Sequence, residues 1–406
     1  MFYWVLAWRN LWRNARRTWI TVFSVVFAVV LALFLESMDR GSQETMVNNW
    51  VRFSSGYVTI QDSVYEEEPI LDNSMVWDPE MEQKLLQNRR IDYWVPRLQS
   101  VMLGAGEQIS AVVHVQGIEP EPEHQFTGIQ DRLVEGVFFS EQPMQAVIGQ
   151  GLATHLDLAV NDTLVLLGQG MYGATAAAKL QVVGLLNHPV PELNRSVVYI
   201  KLDDAQWLFS ASNHVTSIVP VPKRNRHYNQ LAEELKQEPL LSQFRVYTWQ
   251  ELQPELLRTI QFDQAGTLIF LLILYVVIAF GILGTVLTMT LEREKEFGVL
   301  ISLGMHRFKL AWVIVLETLL INLLGVLLGL LISVPVILYF YFNPIQLGEN
   351  LESIVAEYGM EPVLKFSLDP NLFYNQGIIL FCLSMAIVLY PVWRILTLRV
   401  LEVSKK

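Results

Sequence analysis

Four long apolar stretches interrupt an otherwise mixed sequence. Thr18 to Leu35 runs 18 residues without a charge, Gln264 to Leu291 runs 28, and Asn371 to Trp393 runs 23. From Leu310 to Gly348 the only charged residue is Glu317. A helix rises about 1.5 Å per residue, so roughly 20 apolar residues cross a bilayer core. The pattern predicts four transmembrane helices, at 18–38, 264–290, 310–340 and 373–392. The third stretch is long for one crossing, so part of it extends past the membrane or tilts. Pro335 can kink it. The first stretch is followed by Glu36-Ser37-Met38-Asp39-Arg40, which lacks a small-residue cleavage pattern, so it reads as an anchor rather than a cleaved leader.

Between the first two spans the pattern becomes that of a mixed α/β domain, 39–262. Gly56–Gln61 alternates like a strand, and Thr163–Leu167, Leu180–Val183, Val197–Ile200 and Thr216–Val221 are further strand-like runs. Helical stretches are expected at 78–88, 203–210 and 227–237, with Asp203 as the N-cap of the second. The uncharged loop Gly168–Ala174, with three glycines, reads as a hairpin tip or as a partner-contacting loop.

Composition and charge then sort the pieces. The chain is 52% hydrophobic and 17% charged, with mean hydropathy +0.33. Soluble domains carry about 25% charge, so a simple soluble enzyme is excluded. A net charge of −11 argues against nucleic-acid binding. The lone Cys382 excludes a disulfide scaffold and a multi-cysteine metal site.

Basic residues in short loops mark the cytoplasmic side. Segment 1–17 holds Arg9, Arg13, Arg16 and Arg17; 291–309 holds Arg293, Lys295, Arg307 and Lys309; the tail 393–406 holds Arg394, Arg399, Lys405 and Lys406. The loop 343–371 has five acids against Lys365 and belongs outside. Both termini are therefore expected in the cytoplasm and the α/β domain outside, where residues 39–262 carry 28 acids against 16 bases.

Trp4, Trp8 and Trp12 recur on one helical face beside the arginines. That suits a helix in the cytoplasmic interface plane, acting as an anchor or in coupling. Phe340, Tyr341 and Phe342 read as an aromatic belt. Gly325 with Gly329, and Gly281 with Gly284, mark narrow helix-packing spots. Glu317, about two turns into the third span, is expected to meet interfacial water or a nearby arginine.

Chemistry is sparse. There is no phosphate-cradling Gly-x-x-x-x-Gly-Lys-Ser/Thr loop, no His-Glu-x-x-His and no Gly-x-Ser-x-Gly. The seven histidines are scattered without metal spacing, and Glu66-Glu67-Glu68 reads as a solvated loop. No catalytic site, cofactor or metal is expected on this chain. Between spans two and three lies the sharpest pattern. Phe297, Leu300, Ile301 and Gly304 share a helical face, which suits a short amphipathic helix docking into a partner's groove or lying on lipid.

Residues 292–305 read Glu-Arg-x-x-Glu-Phe-Gly-x-Leu-x-x-Leu-Gly-Met. This resembles the coupling-helix signature of FtsX-like, MacB-type (type VII) ABC transporter permeases. The opening Ala7-Trp8-Arg9-Asn10-Leu11-Trp12-Arg13-Asn14 is similar to the family's N-terminal motif. In the exported region, Val115–Pro120, Ile148–Ala153, Leu156–Leu158 and Asn161–Leu164 resemble lipoprotein-releasing permeases of the LolC/LolE type. The tail keeps Pro391-Val392-Trp393-Arg394 but lacks the second proline usual in the family.

The resemblance implies a four-helix membrane protein with a large extracytoplasmic α/β domain of the MacB-like periplasmic core kind, in a bacterial inner membrane. It implies a separate ABC ATPase subunit carrying ATP and Mg, and a second permease copy or homologue. It implies that Glu292, Arg293, Glu296, Phe297, Gly298, Leu300, Leu303, Gly304 and Met305 receive the ATPase stroke. It also implies extraction of lipoproteins or another lipid-linked substrate towards a periplasmic carrier, with Gly170, Met171 and Tyr172 where a relative carries its carrier hook. FtsX-like mechanical signalling and MacB-like efflux are the alternatives; a four-span chain without a cytoplasmic output domain argues against a sensor.

Overall fold

The computed structural model describes residues 2–13, 15–77, 91–223, 228–348 and 363–397. The helix expected at 78–88, residue 227, residues 349–362 of the outer loop and the end of the tail lie outside them. The chain divides into two units: Met1–Glu44, Ile260–Gln346 and Val363–Lys406 in one, Thr45–Thr259 and Leu347–Pro362 in the other.

Four helices among the described residues are long and apolar enough to cross a membrane: Thr18–Phe53, Pro254–Glu292, Arg307–Phe342 and Pro370–Leu396. The first, second and fourth are longer than their charge-free stretches, because helical propensity continues into polar flanks once a helix is nucleated, while the third ends at Phe342, short of Gly348. The fourth breaks at Val388 into Pro370–Ile387 and Leu389–Leu396. A separate helix, Phe2–Arg13, precedes the first span.

The first-span helix buries Val22, Val25, Val29, Ala32 and Leu33. Its close neighbour is the third-span helix. A Cβ added at Gly325 would lie 2.7 Å from Val25 Cβ, and one at Gly329 would lie 2.7 Å from Val29 Cβ. Those two glycines are where the helices approach. Gly281 and Gly284 do not behave this way: both are exposed and a Cβ at either meets nothing within 4 Å. The second-span helix turns that face away from the rest of the chain.

Polar groups tie the other end of the spans. Tyr275 Oη donates to Gln376 Oε1 at 2.8 Å, and Gln376 Nε2 donates to Glu36. Phe34 meets Phe340 edge-on and Phe366 tilted, so Phe340 is a packing residue while Tyr341 and Phe342 stay exposed.

The second unit is built on one mixed sheet. Its first strands are β1 (Val58–Asp62), β2 (Met75–Val76), β3 (Ile91–Ala105), β4 (Ser110–Ile118), β5 (Leu133–Gly136) and β6 (Gln145–Gly149). The later ones are β7 (Thr163–Gln169), β8 (Thr175–Leu186), β9 (Val197–Lys201), β10 (His214–Val215), β11 (Ser217–Pro222) and β12 (Phe244–Thr248). β2 and β10 pair with each other; the rest run in the order β12-β1-β11-β3-β4-β9-β6-β8-β5, with β7 bridging β3 and β8. Strands β3, β4, β9, β6, β8 and β7 therefore pair in a closed cycle. The β4–β9 and β6–β8 pairs are parallel.

One sheet face carries the main core, including Ile60, Leu98, Val113, Val115, Leu164 and Val198. The opposite face carries two smaller apolar clusters, around Phe53, Val147 and Tyr199 and around Val95, Phe126 and Val219. Between them sits Arg97, fully buried. Its Nε and Nη2 donate to Glu123 at 2.9 and 2.7 Å, while Nη1 and Nη2 donate to the carbonyls of Ser54 and Arg52 at 3.0 and 2.8 Å. The last turn of the long helix Ala15–Phe53 is thus capped by a side chain from the sheet.

Asp203 is not the N-cap expected of it. The helix there is Leu202–Leu208 with Lys201 at the cap, so Asp203 lies in the first turn, where a carboxylate still favours the positive end of the helix.

Candidate functional site

The segment between the second and third spans forms a helix of nine residues, Glu294–Ser302, shorter than the 291–309 stretch. Arg293 breaks it from the second-span helix as a turn residue with φ −93° and ψ 0°. At the other end, Gly304 N–H donates to the Ile301 carbonyl and Met305 N–H to that of Leu300, each at 3.0 Å. Gly304 has φ +94°, a conformation that favours glycine. This is a Schellman cap, and it explains the Gly-Met pair of the motif. Met305 and Ile301 fold back onto Phe297, Leu310, Ile314 and Ile395.

That packing reverses part of the expected docking face. Phe297 and Gly298 are buried and Ile301 is half-buried, facing the protein's own third-span helix and C-terminal helix. Val299, 58% exposed, Leu300, and Leu303, 80% exposed, face outward with Phe308. An almost continuous apolar run offers two candidate faces, and tertiary packing chose between them.

Charges hold the short helix from three sides. Arg13 Nη2 of the N-terminal helix lies 2.5 Å from Glu296 Oε2. Arg293 Nη1 donates to both oxygens of Glu317, at 2.7 and 2.9 Å, and its guanidinium carbon lies 5.3 Å from the Phe297 ring centroid. Arg293 Nε is 3.6 Å from Glu296 Oε2. Arg394 Nη2 donates to Glu294 Oε1 at 3.1 Å.

Glu317 has therefore met an arginine, and both partners are buried. Beside them a cavity of 20 Å³, lined by Thr21, Thr290 and Thr318 among others, has room for one water. Breaking such a buried pair by removing one partner costs about 3–5 kcal/mol. The sequence pattern does not mark Arg13, Glu294, Arg394 or Val299 as site residues; only the three-dimensional convergence of the helices reveals them.

The N-terminal helix buries Ala7 and Leu11 and leaves Trp4, Trp8 and Trp12 exposed. Trp8 and Trp12 meet edge to face at 5.8 Å, and Trp12 and Trp19 at 6.4 Å. Thr18 Oγ1 donates to the Leu11 carbonyl at 2.8 Å, turning the chain into the first span.

The Gly170–Tyr172 loop is an ordered hairpin end rather than a loose tip. Met171 is buried in the main core, so it cannot grip a partner. Its N–H donates to the Phe209 carbonyl at 2.9 Å. A Cβ at Gly170 would lie 2.6 Å from that same carbonyl oxygen. Only Tyr172, 82% exposed, projects outward; it has φ +51° and donates its N–H to Asp72 Oδ1 at 2.6 Å.

Within the α/β domain His188 is buried and its pKa is pushed down to about 3. Burial is the main cause; the Val190 carbonyl opposes it, and Arg132 and Arg97 reinforce it. Val190 N–H donates to Nδ1 at 3.0 Å, which leaves Nε2 facing Tyr199 Oη at 3.1 Å. Among the described residues no group of three or more His, Cys, Asp or Glu is arranged to hold a metal.

Residues 18–238 match the family model of the MacB-like periplasmic core domain, and residues 268–400 match that of the FtsX-like permease C-terminal region. The chain belongs to the MacB/FtsX-type permeases. Such permeases are the membrane subunits of type VII ABC transporters and work with an ABC ATPase. No curated protein matches this permease.

Among solved structures, the periplasmic region of MacB from Actinobacillus actinomycetemcomitans is 13% identical, with TM-score 0.34, covering 50% of this permease and 92% of that chain. The extracellular domain of the noncanonic ABC-type transporter YknZ from Gram-positive bacteria is also 13% identical, with TM-score 0.34, covering 47% and 99%. A domain of a putative permease protein from Porphyromonas gingivalis is 10% identical, with TM-score 0.29, covering 48% and 89%.

Proposed function

We propose that this permease transmits the stroke of a separate ATPase to its α/β domain in order to extract lipoproteins, or another lipid-linked substrate, from the outer leaflet of an inner membrane. The observation that carries the coupling half is the capped helix Glu294–Ser302. It offers Val299, Leu300 and Leu303 to a partner's groove. Its acids and Arg293 are bound to the N-terminal helix, the third span and the C-terminal helix. A push on the exposed edge is therefore resisted by ion pairs rather than absorbed by a loose loop. Both termini and this helix lie on the cytoplasmic side in this reading, which the basic residues of the short loops support. A second permease, identical or homologous, completes the transporter, and the exposed Gly281–Gly284 face of the second span is available to it.

The cargo half rests on the resemblance of segments such as Ile148–Ala153 and Asn161–Leu164 to lipoprotein-releasing permeases. Met171 drops out of any carrier hook because it is core, and Tyr172 alone remains for that role. The test is reconstitution with the ATPase in liposomes containing an acylated protein. ATP and a soluble carrier should release the protein. Steady ATP hydrolysis with no release would sink the extraction reading and favour mechanical signalling.

A further inference from the structure

The α/β domain holds a cavity of about 450 Å³ on the sheet face opposite the main core. That is within the roughly 300–1,000 Å³ range of ligand pockets. Its floor is a row of uncharged hydrogen-bonding side chains on adjacent strands: Gln61 of β1, Ser217 of β11, Gln99 of β3, and Gln116 and His114 of β4. Strand register sets the row, since Gln99 pairs with Gln116 and Val101 with His114. Gln116 is 5% exposed, and its Nε2 has no hydrogen-bond partner among the described residues. A buried amide donor left without an acceptor is costly to keep. Tyr65, at the wall, adds an aromatic ring.

The same face continues past Val101 and His114 into an aliphatic shelf. Alternation along the strands points Val101 and Leu103 of β3, Val112 of β4, and Val165 and Leu167 of β7 outward, and all are exposed. Leu103 pairs with both Val112 and Leu167, so these side chains are contiguous. Polar amides in a cleft and bare aliphatics beside it make one amphiphilic surface. Among the described residues the cleft lining contains no Lys or Arg to pair a phosphate, and its rim carries Glu66. That lining favours a head group made of amides over an anionic one.

We propose that this surface binds an acylated peptide, with the peptide amides in the Gln61–Gln99–Gln116 cleft and the acyl chain along the Val101–Leu103–Val112–Leu167 shelf. This rests on the extraction reading and names the place where the cargo's lipidated end is held.

The test uses the full chain in nanodiscs with its ATPase. The probe is a palmitoylated Cys-Ser-Ser peptide bearing a photoreactive diazirine on the acyl chain. Crosslinks should map to residues 101–103, 110–112 or 165–167, and unlabelled acyl peptide should compete while phosphatidylglycerol should not. Gln116→Leu and Val112→Glu should each weaken binding about tenfold, a loss of one hydrogen-bonded or apolar anchor. Gln116→Leu should not lower the thermal midpoint, since it removes an unsatisfied amide. Crosslinks confined to the membrane helices, unchanged binding in both variants, or equal competition by phosphatidylglycerol would overturn the proposal. Release of acylated protein without shelf crosslinks sinks the site and spares the transport reading. Shelf crosslinks without ATP-driven release do the reverse.

Discussion

The clamping of the Arg52–Ser54 turn by Arg97 can be tested quantitatively. The guanidinium makes four donations, two to Glu123 and one each to the Arg52 and Ser54 carbonyls, and both charged side chains are 0% exposed. Glu123→Gln removes the charge partner and leaves Arg97 buried and uncompensated. Such a loss costs about 3–5 kcal/mol. In a domain of roughly 150–250 residues each kcal/mol shifts the midpoint by about 2–4 °C. The domain's melting transition should therefore fall by about 6–20 °C.

Arg97→Met with Glu123→Leu removes both charges together. Apolar replacement of a buried pair is often neutral, but here two carbonyls lose their donors, at about 1–3 kcal/mol each. The double variant should melt above Glu123→Gln, or close to it, and well above Arg97→Met alone. Melting of the full chain in nanodiscs, with hydrogen exchange at Ser54 and Gly56, reads both effects. Those amides now donate to Trp50 and Val51 and should exchange faster when the clamp is lost. A Glu123→Gln midpoint within about 2 °C of the parent would refute the argument.

Four further outcomes follow from the same reasoning. Arg293→Glu and Glu317→Arg should each cut transport per ATP at least about tenfold, while the double swap restores part of it; no recovery would mean the pair does not act as a unit. Leu303→Asp should weaken ATPase binding without lowering the melting point, since Leu303 is 80% exposed, and intact co-purification would remove it from the docking edge. Glu296→Lys, facing Arg13 and Arg293, should uncouple hydrolysis from work; unaltered coupling counts against the helix as transmitter. His188 titrates near 3 folded against about 6.5 unfolded, so its contribution is full above pH 6.5 and drains away as pH falls; between pH 7 and 5 the domain should lose about 2 kcal/mol, a slope absent in His188→Asn by denaturant titration.

The spans were legible because burial in lipid forbids charge over whole stretches, a signal that no packing detail can blur. The cap at Gly304-Met305 was not legible: the apolar pattern set Gly304 on the helix face, and its positive φ emerges only in the structure. The outward edge of the short helix was not legible either. Phe297 through Leu303 is apolar on both sides, and only Leu310, Ile314 and Ile395 decide which side is covered. The 15-residue strand β3 is absent from the strand-like runs of the sequence, because Pro96 and Gly104 interrupt its apolar alternation and it buries a charge at Arg97. Its partner Glu123 stands 26 residues away, beyond any local pattern. Gly281 and Gly284 looked like Gly325 and Gly329 in one dimension, yet among the described residues only the latter pair meets a neighbour.

The Arg293–Glu317 pair also bears on how the polypeptide enters the bilayer. Presented singly to the insertion machinery, Glu317 penalises its own helix by up to about 2.5–3.5 kcal/mol at the membrane centre, less towards the edge. Arg293 closes the second span and Glu317 lies in the third, only 24 residues apart. Neutralisation requires both at once, so the two spans are best integrated as one hairpin. The short helix is then the turn of that hairpin, assembled during synthesis, before any nucleotide is spent on it.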